Sequence, residues 1–488
     1  MQGRSKRCWL DECAEITDGR PDTRHPIPIF WIFSMPIEDA PLDWMKLTPP
    51  QLDFWEEFSF HPDQPLSTVA HYLDIEGAVD VSALCRAIAR TVHEADILAA
   101  SFAVARSDGQ PRQRLDPRRL PEVKQIDLTD RPNPARAAMG LMQADIRAKL
   151  DLTRHPLSAQ WLLRIGENRY YWYIRAHHII LDGFGLTLIE QRCAQLYAHL
   201  LGHADAGRPF DRFASFLAEE EAYRTGPRFA EDRRFWQDYL AGPGSLPVVD
   251  KAGEGYGAEG LQSHDRLPDD LGRILRQSAT ELGIAWPDLL VLLTGLYLLR
   301  HGSEQERGGK GRMTLWLPFM SRWGSVGANI PAMLLNILPF RLAVGGEEPL
   351  AVLLKRGAKD LRRQRAHGRY RIEHIAIDCG LPAGSRFFFA PLVNVLPFDQ
   401  PEFFGCRTRR HVLASGTGEG FSVTYRAEDD AGALVLELDA DSAITGRDAF
   451  ERHRFQLPVF LRQALAPQAR SRPAGELYGE ATPIAKAG

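Results

Sequence analysis

The sequence of 488 residues contains no Cys-x-x-Cys pair. Its six cysteines, Cys8, Cys13, Cys85, Cys193, Cys379 and Cys406, are scattered along the chain. That spacing signals neither a zinc site nor a disulfide framework, and reduced thiols in a cytoplasmic protein are the natural reading. Charge of one sign is also missing. The net charge is −4, which leaves no electrostatic footprint for nucleic acid. Long apolar runs are absent too. "PIPIFWIF" (26–33) is short and broken by proline, and no apolar segment follows Arg4, Lys6 and Arg7. Neither a signal peptide nor a membrane span is expected. What remains is the composition of an ordinary globular protein, 44% apolar and 25% charged, long enough for two or three compact units.

Proline and charge dominate residues 1–45, which read as an N-terminal arm or a docking extension. A first regular unit spans 46–225. "LTPPQLDFWEEF" (47–58) opens a helix with Pro49 and Pro50 at its start. "STVAHYLDIEG" (67–77) reads as a strand. "VSALCRAIARTVHEAD" (81–96) places Val81, Leu84, Ile88 and Val92 on one helical face. "SAQWLLRI" (158–165) and "RYYWYIRAHH" (169–178), joined by Gly-Glu-Asn, form an antiparallel hairpin. The helix after it ends near Gly202, a plausible C-cap. A second α+β unit spans 226–468, and 469–488 is a linker-like tail. "NILPF" (336–340) nearly repeats as "NVLPF" (394–398), an echo suggesting two related units.

The segment "YYWYIRAHHIILDGFG" (170–185) carries the chemistry. Side chains alternate along a strand. Trp172, Ile174, Ala176 and His178 therefore share one face, and Tyr171, Tyr173, Arg175 and His177 share the other. Two histidines on opposite faces are poorly placed to share a metal ion. One reading is a buried histidine packed beside an aspartate in a turn. The other is a general base at a strand end, a neutral imidazole held in one tautomer. Asp182 would then turn back to hold a backbone group or an arginine. Gly183 would allow close backbone approach and an unusual φ.

The run His177-His178-Ile179-Ile180-Leu181-Asp182-Gly183 is an HHxxxDG motif, and it resembles the active-site signature of condensation domains of nonribosomal peptide synthetases. More widely it resembles the chloramphenicol acetyltransferase-like acyltransferases. The resemblance extends in order over about 45–465. It runs through "LTPPQLDFW", "HEADILAASF" (93–102), "RRFWQDYLAG" (233–242), "MLLNILPFR" (333–341), "GRYRIEHI" (368–375) and "PLVNVLPFD" (391–399). "STVAHYLDIEGAVD" and "NILPF" look closest to enterobactin-type siderophore synthetases. Heterocyclisation domains carry aspartates in place of the histidines, and plant-type acyltransferases carry a DFGWG segment that this sequence lacks. Epimerisation domains share HHxxxDG but fit the other motifs less well. Where many members have Leu-Arg-Thr in the second motif, this chain has Leu98-Ala99-Ala100.

The resemblance implies an α+β fold of two acyltransferase-like lobes, 46–225 and 226–468, set in a V with a central tunnel. It implies an acyltransferase that joins a carrier-bound acyl, peptidyl or polyketide thioester to an amine or hydroxyl. His178 would orient or deprotonate the nucleophile, or stabilise the tetrahedral intermediate. His177 and Asp182 would be scaffold, with Asp182 paired to an arginine that the motif does not identify. Gly183 would keep the tunnel open, and Asn336, Ser415 and Gly416 would contact substrate. No metal or cofactor is expected on the chain itself. Substrate would arrive on the phosphopantetheine arm of an acyl or peptidyl carrier protein acting in trans, and the acceptor would be a small molecule or carrier-bound. A monomer without membrane or nucleic-acid partners is expected. Met1, the arm and the tail favour a freestanding enzyme over an excised piece. An acyl-CoA-dependent acyltransferase and a non-catalytic domain of the same fold are the alternatives. The basic helix 349–368 is either a solvated face or a docking surface for an acidic carrier protein.

Overall fold

The computed structural model describes residues 44–478, apart from 242–245, 254–259, 302–310, 321, 323, 398–399, 417–419 and 428–432. The first half runs β1 (Met45–Lys46), α1 (Pro49–Phe60), β2 (Thr68–Gly77), α2 (Val81–Glu94), β3 (Ala100–Val104), β4 (Pro111–Leu115), β5 (Val123–Asp127), α3 (Pro134–Ile146), β6 (Ser158–Gly166), β7 (Arg169–His177) and α4 (Gly183–Leu200). Helices α5 (Phe213–Thr225) and α6 (Pro227–Leu240) lead into the second half. There follow β8 (Val248–Asp250), β9 (Gly260–Arg266), α7 (Asp269–Leu282), α8 (Trp286–His301), β10 (Arg312–Met320), β11 (Leu335–Ala343), α9 (Leu350–Arg365) and α10 (Ile372–Asp378). The last elements are β12 (Ser385–Phe387), β13 (Leu392–Leu396), β14 (Cys406–Ser415), β15 (Phe421–Ala427), β16 (Leu434–Asp441), α11 (Arg447–Ala464) and α12 (Ala474–Tyr478).

Local chemistry explains the ends that matter for function. Pro49 and Pro50 start α1, and Thr48 with Gln51 completes a capping box ahead of the buried Trp55 and Phe58. The β6–β7 hairpin forms as its alternation requires, with Leu162 opposite Trp172 and Gln160 opposite Ile174. Gly202, just past α4, adopts φ +81°, a left-handed turn that favours glycine.

Four sheets occur among the described residues, and two of them, of five and six strands, hold most of the core. One has the order β14-β2-β7-β6-β5 and the other β11-β10-β13-β15-β16-β9. On the first, Trp172, Ile174 and Leu73 pack under α2 and α4, while Tyr171 and Tyr173 pack on the other face with Met142 of α3. A strand buried on both faces reads as a nearly continuous apolar run, and "YYWYI" is one. The second sheet packs on α8, whose residues from Asp288 to Leu299 are all buried, as in a helix apolar all round.

Three expectations change. Strand β14 comes late in the sequence but joins the first sheet, pairing with β2 from Cys406↔Gly77 to Ser415↔Val69; a cut between 46–225 and 226–468 therefore does not follow the sheets. Residues 336–340 lie on β11 and 394–396 on β13, in one sheet with β10 between them, so the echo does not relate two lobes. The linker reading fails for 469–478, because Ala469, Ala474 and Leu477 are buried in the second core. Residues 479–488 and nearly all of the N-terminal arm lie outside the described residues. A chain ending at Gln468 is expected to melt at a lower temperature than the full chain, since it forfeits that burial; calorimetry of the two checks this.

Candidate active site

Strand β7 is central, held by β2 on one side and β6 on the other, and it delivers the two histidines to its end. His177 is the last strand residue, opposite Thr68. Its Nδ1 accepts the N–H of Ile179 at 3.0 Å, so the ring closes the turn. Burial, with smaller contributions from His178 and Arg175, pushes its pKa down to about 3.

His178 follows the strand and faces elsewhere. Its amide donates to the carbonyl of Ser67 at 2.8 Å. Its Nδ1 sits 3.0 Å from the carbonyl oxygen of Leu181. A carbonyl only accepts, so Nδ1 carries the hydrogen and Nε2 of the neutral ring keeps its lone pair. Phe54 of α1 stacks on the imidazole at 5.5 Å between centroids and 11° between planes. The opposite edge lies against Gly416. A Cβ there would stand 2.9 Å from Cδ2 and 3.2 Å from Nε2, and φ is +93°; both facts require glycine. Burial lowers the pKa of His178 below its ordinary value, against the pull of the Asp182 charge and the carbonyls of Leu181 and Ser415. The ring is therefore neutral at pH 7 and able to accept a proton, and those same groups would stabilise it once charged.

Asp182 is the N-cap of α4, accepting the N–H of Gly185 at 2.7 Å. Its arginine is Arg322, in the loop after β10, whose Nη2 donates to both carboxylate oxygens at 2.8 Å. Arg322 Nη1 donates to the carbonyls of Gly327 and Ile330 at 2.7 and 2.6 Å, and Nη2 also reaches Ala332. Leu334 donates its N–H to Asp182 at 3.0 Å, and Met333 donates to Ile180. Phe184 lies under the guanidinium at 5.0 Å. The His178 turn is thus bolted to the second sheet's loop 322–334. Gly183 is helical and has no positive φ; it lines the cavity, with nothing within 4 Å of where a Cβ would be. The expected unusual φ is absent, and open space lies over its α-carbon.

A cavity of about 950 Å³ opens at His178, with walls from both sheets. Ser415 and Gly416 line it, as expected. Asn336 does not. It is 1% exposed, its amide donates to the carbonyls of Gly368 and Tyr370, and its oxygen accepts from Ile372. With its amide and its oxygen both bonded to the backbone, it clamps 368–372 to β11 and does not line the cavity. Of the basic helix, Arg362 and Arg365 border the cavity, and Arg365 pairs with Asp288. Phe54, Ser67, His71 and Arg322 were missed by sequence reasoning. Arg322 carries no local signal, since its partner is 140 residues away. Among the described residues no group of three His, Cys, Asp or Glu side chains could hold a metal ion, and no single helix is long and apolar enough to cross a membrane.

Two outcomes follow for stability. Arg322→Leu leaves a buried uncompensated carboxylate and is expected to cost about 3–5 kcal/mol. The Asp182→Asn/Arg322→Leu double variant should recover part of that, and denaturant midpoints measure both. His177 is ordinary at 6.5 when unfolded and about 3 when folded. The folded ring binds its proton less well, so stability is full above pH 6.5 and is lost as pH falls toward 3. His177→Gln is expected to flatten unfolding free energy against pH in that window by about one proton, about 1.4 kcal/mol per pH unit.

Comparison with known proteins agrees with this architecture. The family model of the condensation domain matches residues 42–426. The isonitrile lipopeptide synthase of Streptomyces coeruleorubidus is 34% identical over 453 residues, covering 91% of this chain and 30% of that protein. Enterobactin synthase component F of Escherichia coli O157:H7 is 31% identical over 412 residues, covering 82% of this chain and 31% of that protein. This chain therefore spans about a third of the length of those curated relatives. The crystal structure of VibH, an NRPS condensation enzyme, superposes with a TM-score of 0.78 at 33% identity, covering 87% of this chain and 99% of that one. With its fold, its HHxxxDG turn and a family match over most of its length, the chain belongs to the condensation domain family.

Proposed function

We propose that the protein is an acyl-transferring condensation enzyme of nonribosomal peptide or hybrid natural-product biosynthesis. It joins a carrier-bound acyl, peptidyl or polyketide thioester to an amine or hydroxyl acceptor. The observation that carries this reading is the neutral imidazole of His178, its Nδ1 held by the carbonyl of Leu181, at the wall of a cavity bounded by both sheets. The acceptor's nitrogen or oxygen attacks the thioester carbonyl and forms the new C–N or C–O bond. As that bond forms, His178 takes the nucleophile's proton at Nε2. The tetrahedral intermediate collapses by breaking the C–S bond, and the thiolate leaves and recovers the proton as the pantetheine thiol. His178 contributes as a base, about 10²–10⁴-fold, and the cavity contributes by placing two substrates against each other.

The other site residues have supporting roles in this scheme. His177 closes the turn, Asp182 with Arg322 fixes it, and Gly183, Ser415 and Gly416 shape the space around the acyl group. The substrate arrives on the phosphopantetheine arm of a carrier protein. In this reading the carrier acts in trans on a monomeric enzyme in the cytoplasm.

The test is intact-protein mass spectrometry of an acyl-loaded carrier protein offered a panel of amines and alcohols. Wild type should unload the carrier to its free thiol and release the amide or ester. His178→Ala should lose at least about a hundredfold in rate while keeping its fold by circular dichroism. Undiminished turnover in that variant would rule out the base. Because the pKa of His178 lies below its ordinary 6.5, the deprotonated form prevails above that value. The rate should therefore hold down to about pH 6.5 and fall only under more acidic conditions.

A further inference from the structure

A second imidazole faces the same cavity. His71 lies on β2, on the face shared with Val69 and Leu73, and is 6% exposed. Its Nδ1 stands 3.4 Å from Oε1 of Glu190, a wholly buried residue of α4. Glu190 receives Nε of Arg410 at 2.8 Å, and Arg410 Nη2 donates to the same oxygen. Burial alone would raise the pKa of Glu190, but the Arg410 charge and the bonds from His71 and Arg410 hold it down to about 2. The group is a carboxylate and only accepts. Nδ1 of His71 therefore carries the hydrogen. Burial keeps that ring uncharged as well, which leaves a lone pair on Nε2. His71 borders the cavity, and Glu190 is its only side-chain hydrogen-bond partner among the described residues.

The arrangement echoes the one behind His178. Helix α4 carries both carboxylates, Asp182 at its N-cap and Glu190 eight residues on, about two turns later. Each carboxylate is held by an arginine from the second half of the chain, Arg322 or Arg410. Glu190 meets the His71 ring directly, whereas Asp182 acts on His178 through its charge, and the two rings lie within electrostatic reach of each other. A buried arginine–glutamate pair is a costly way to fill a core. One that sets the tautomer of a cavity-facing histidine has a function.

Building on the proposed condensation activity, we propose that His71 is a substrate contact. Its Nε2 accepts a hydrogen bond from an N–H or O–H of a substrate seated beside His178. Two sources offer that donor: an amide N–H of the pantetheine arm, or a second N–H or O–H on the acceptor.

Binding decides between them without turnover. In a His178→Ala background, dissociation constants are measured for two matched pairs. One is a pantetheine thioester and its N-methylated counterpart; the other is a diamine or amino alcohol and the monoamine of equal length. With His71 present, one pair should differ by about tenfold, the worth of one neutral hydrogen bond. In His71→Leu the difference should collapse to less than about twofold, and His71→Gln, which retains an acceptor, should restore part of it. Discrimination within the thioester pair assigns the contact to the pantetheine arm; discrimination within the amine pair assigns it to the acceptor. Binding without discrimination, or discrimination that survives His71→Leu, overturns the contact and leaves the proposed reaction standing. Failure of every probe to bind would instead overturn the proposed reaction.

Discussion

The pair between Asp182 and Arg322 is the interaction on which the site depends. Both side chains are almost inaccessible, at 1% and 4%, and a carboxylate taken out of water needs a full set of partners. Asp182 has them: two contacts from Arg322 and the N–H groups of Gly185 and Leu334. Each partner belongs to a different piece of structure. Gly185 lies in the first turn of α4, Arg322 follows β10, and Leu334 precedes β11. One carboxylate therefore fixes where α4 begins, where the second sheet's loop lies, and how tightly the turn carrying His178 is drawn between them. Replacing such a pair by apolar residues is often no less stable. Its value here lies in the directional geometry it imposes on the turn.

Dryness is the second constraint, and it works with the first. Burial lowers the pKa of His177, His178 and His71 alike, so all three rings are neutral near pH 7. They differ in what each nitrogen meets. His177 gives its Nδ1 lone pair to the backbone of Ile179, and the ring has no part facing the cavity. His178 and His71 place their Nδ1 hydrogens against acceptors and border the cavity. The same desolvation thus makes one histidine a structural acceptor and two others presenters of a lone pair. The hydrogen-bond partner behind each ring decides which.

Much of this was legible in the sequence. Strand parity set His177 and His178 apart; the strand ends at His177, and it is the turn after it that leaves one ring on the backbone of Ile179 and the other at the cavity. The hairpin, the capped start of α1 and the turn at Gly202 followed from short-range chemistry, where alternation, proline and glycine act within a few residues. What escaped is non-local. "CRTRRHVLAS" looks polar because Arg407, Arg409 and Arg410 crowd it, yet it is β14, inserted beside β2. Arg410 is buried there only because Glu190 awaits it on α4. Asn336 misled for the same reason. Its motif marks an important asparagine, but the groups it bonds, from Gly368 to Ile372, lie more than thirty residues further along the chain.

Strand β14 also ties the two halves together through one sheet. A domain made of consecutive residues can move as a unit against its neighbour. Here the second half donates a strand to the first half's sheet, along an edge running from Cys406 to Ser415. The strand ends at Ser415 and Gly416, with the Gly416 amide bound to the carbonyl of Thr68 at 3.0 Å. Its last residues thus form the cavity wall against His178, while Arg410, five residues earlier, holds Glu190 behind His71. Any displacement of the halves that shifted β14 would move both imidazole surroundings together. In the proposed reaction two substrates meet at this cavity, and one shared strand sets both imidazole surroundings with fewer independent parts than two separately anchored loops.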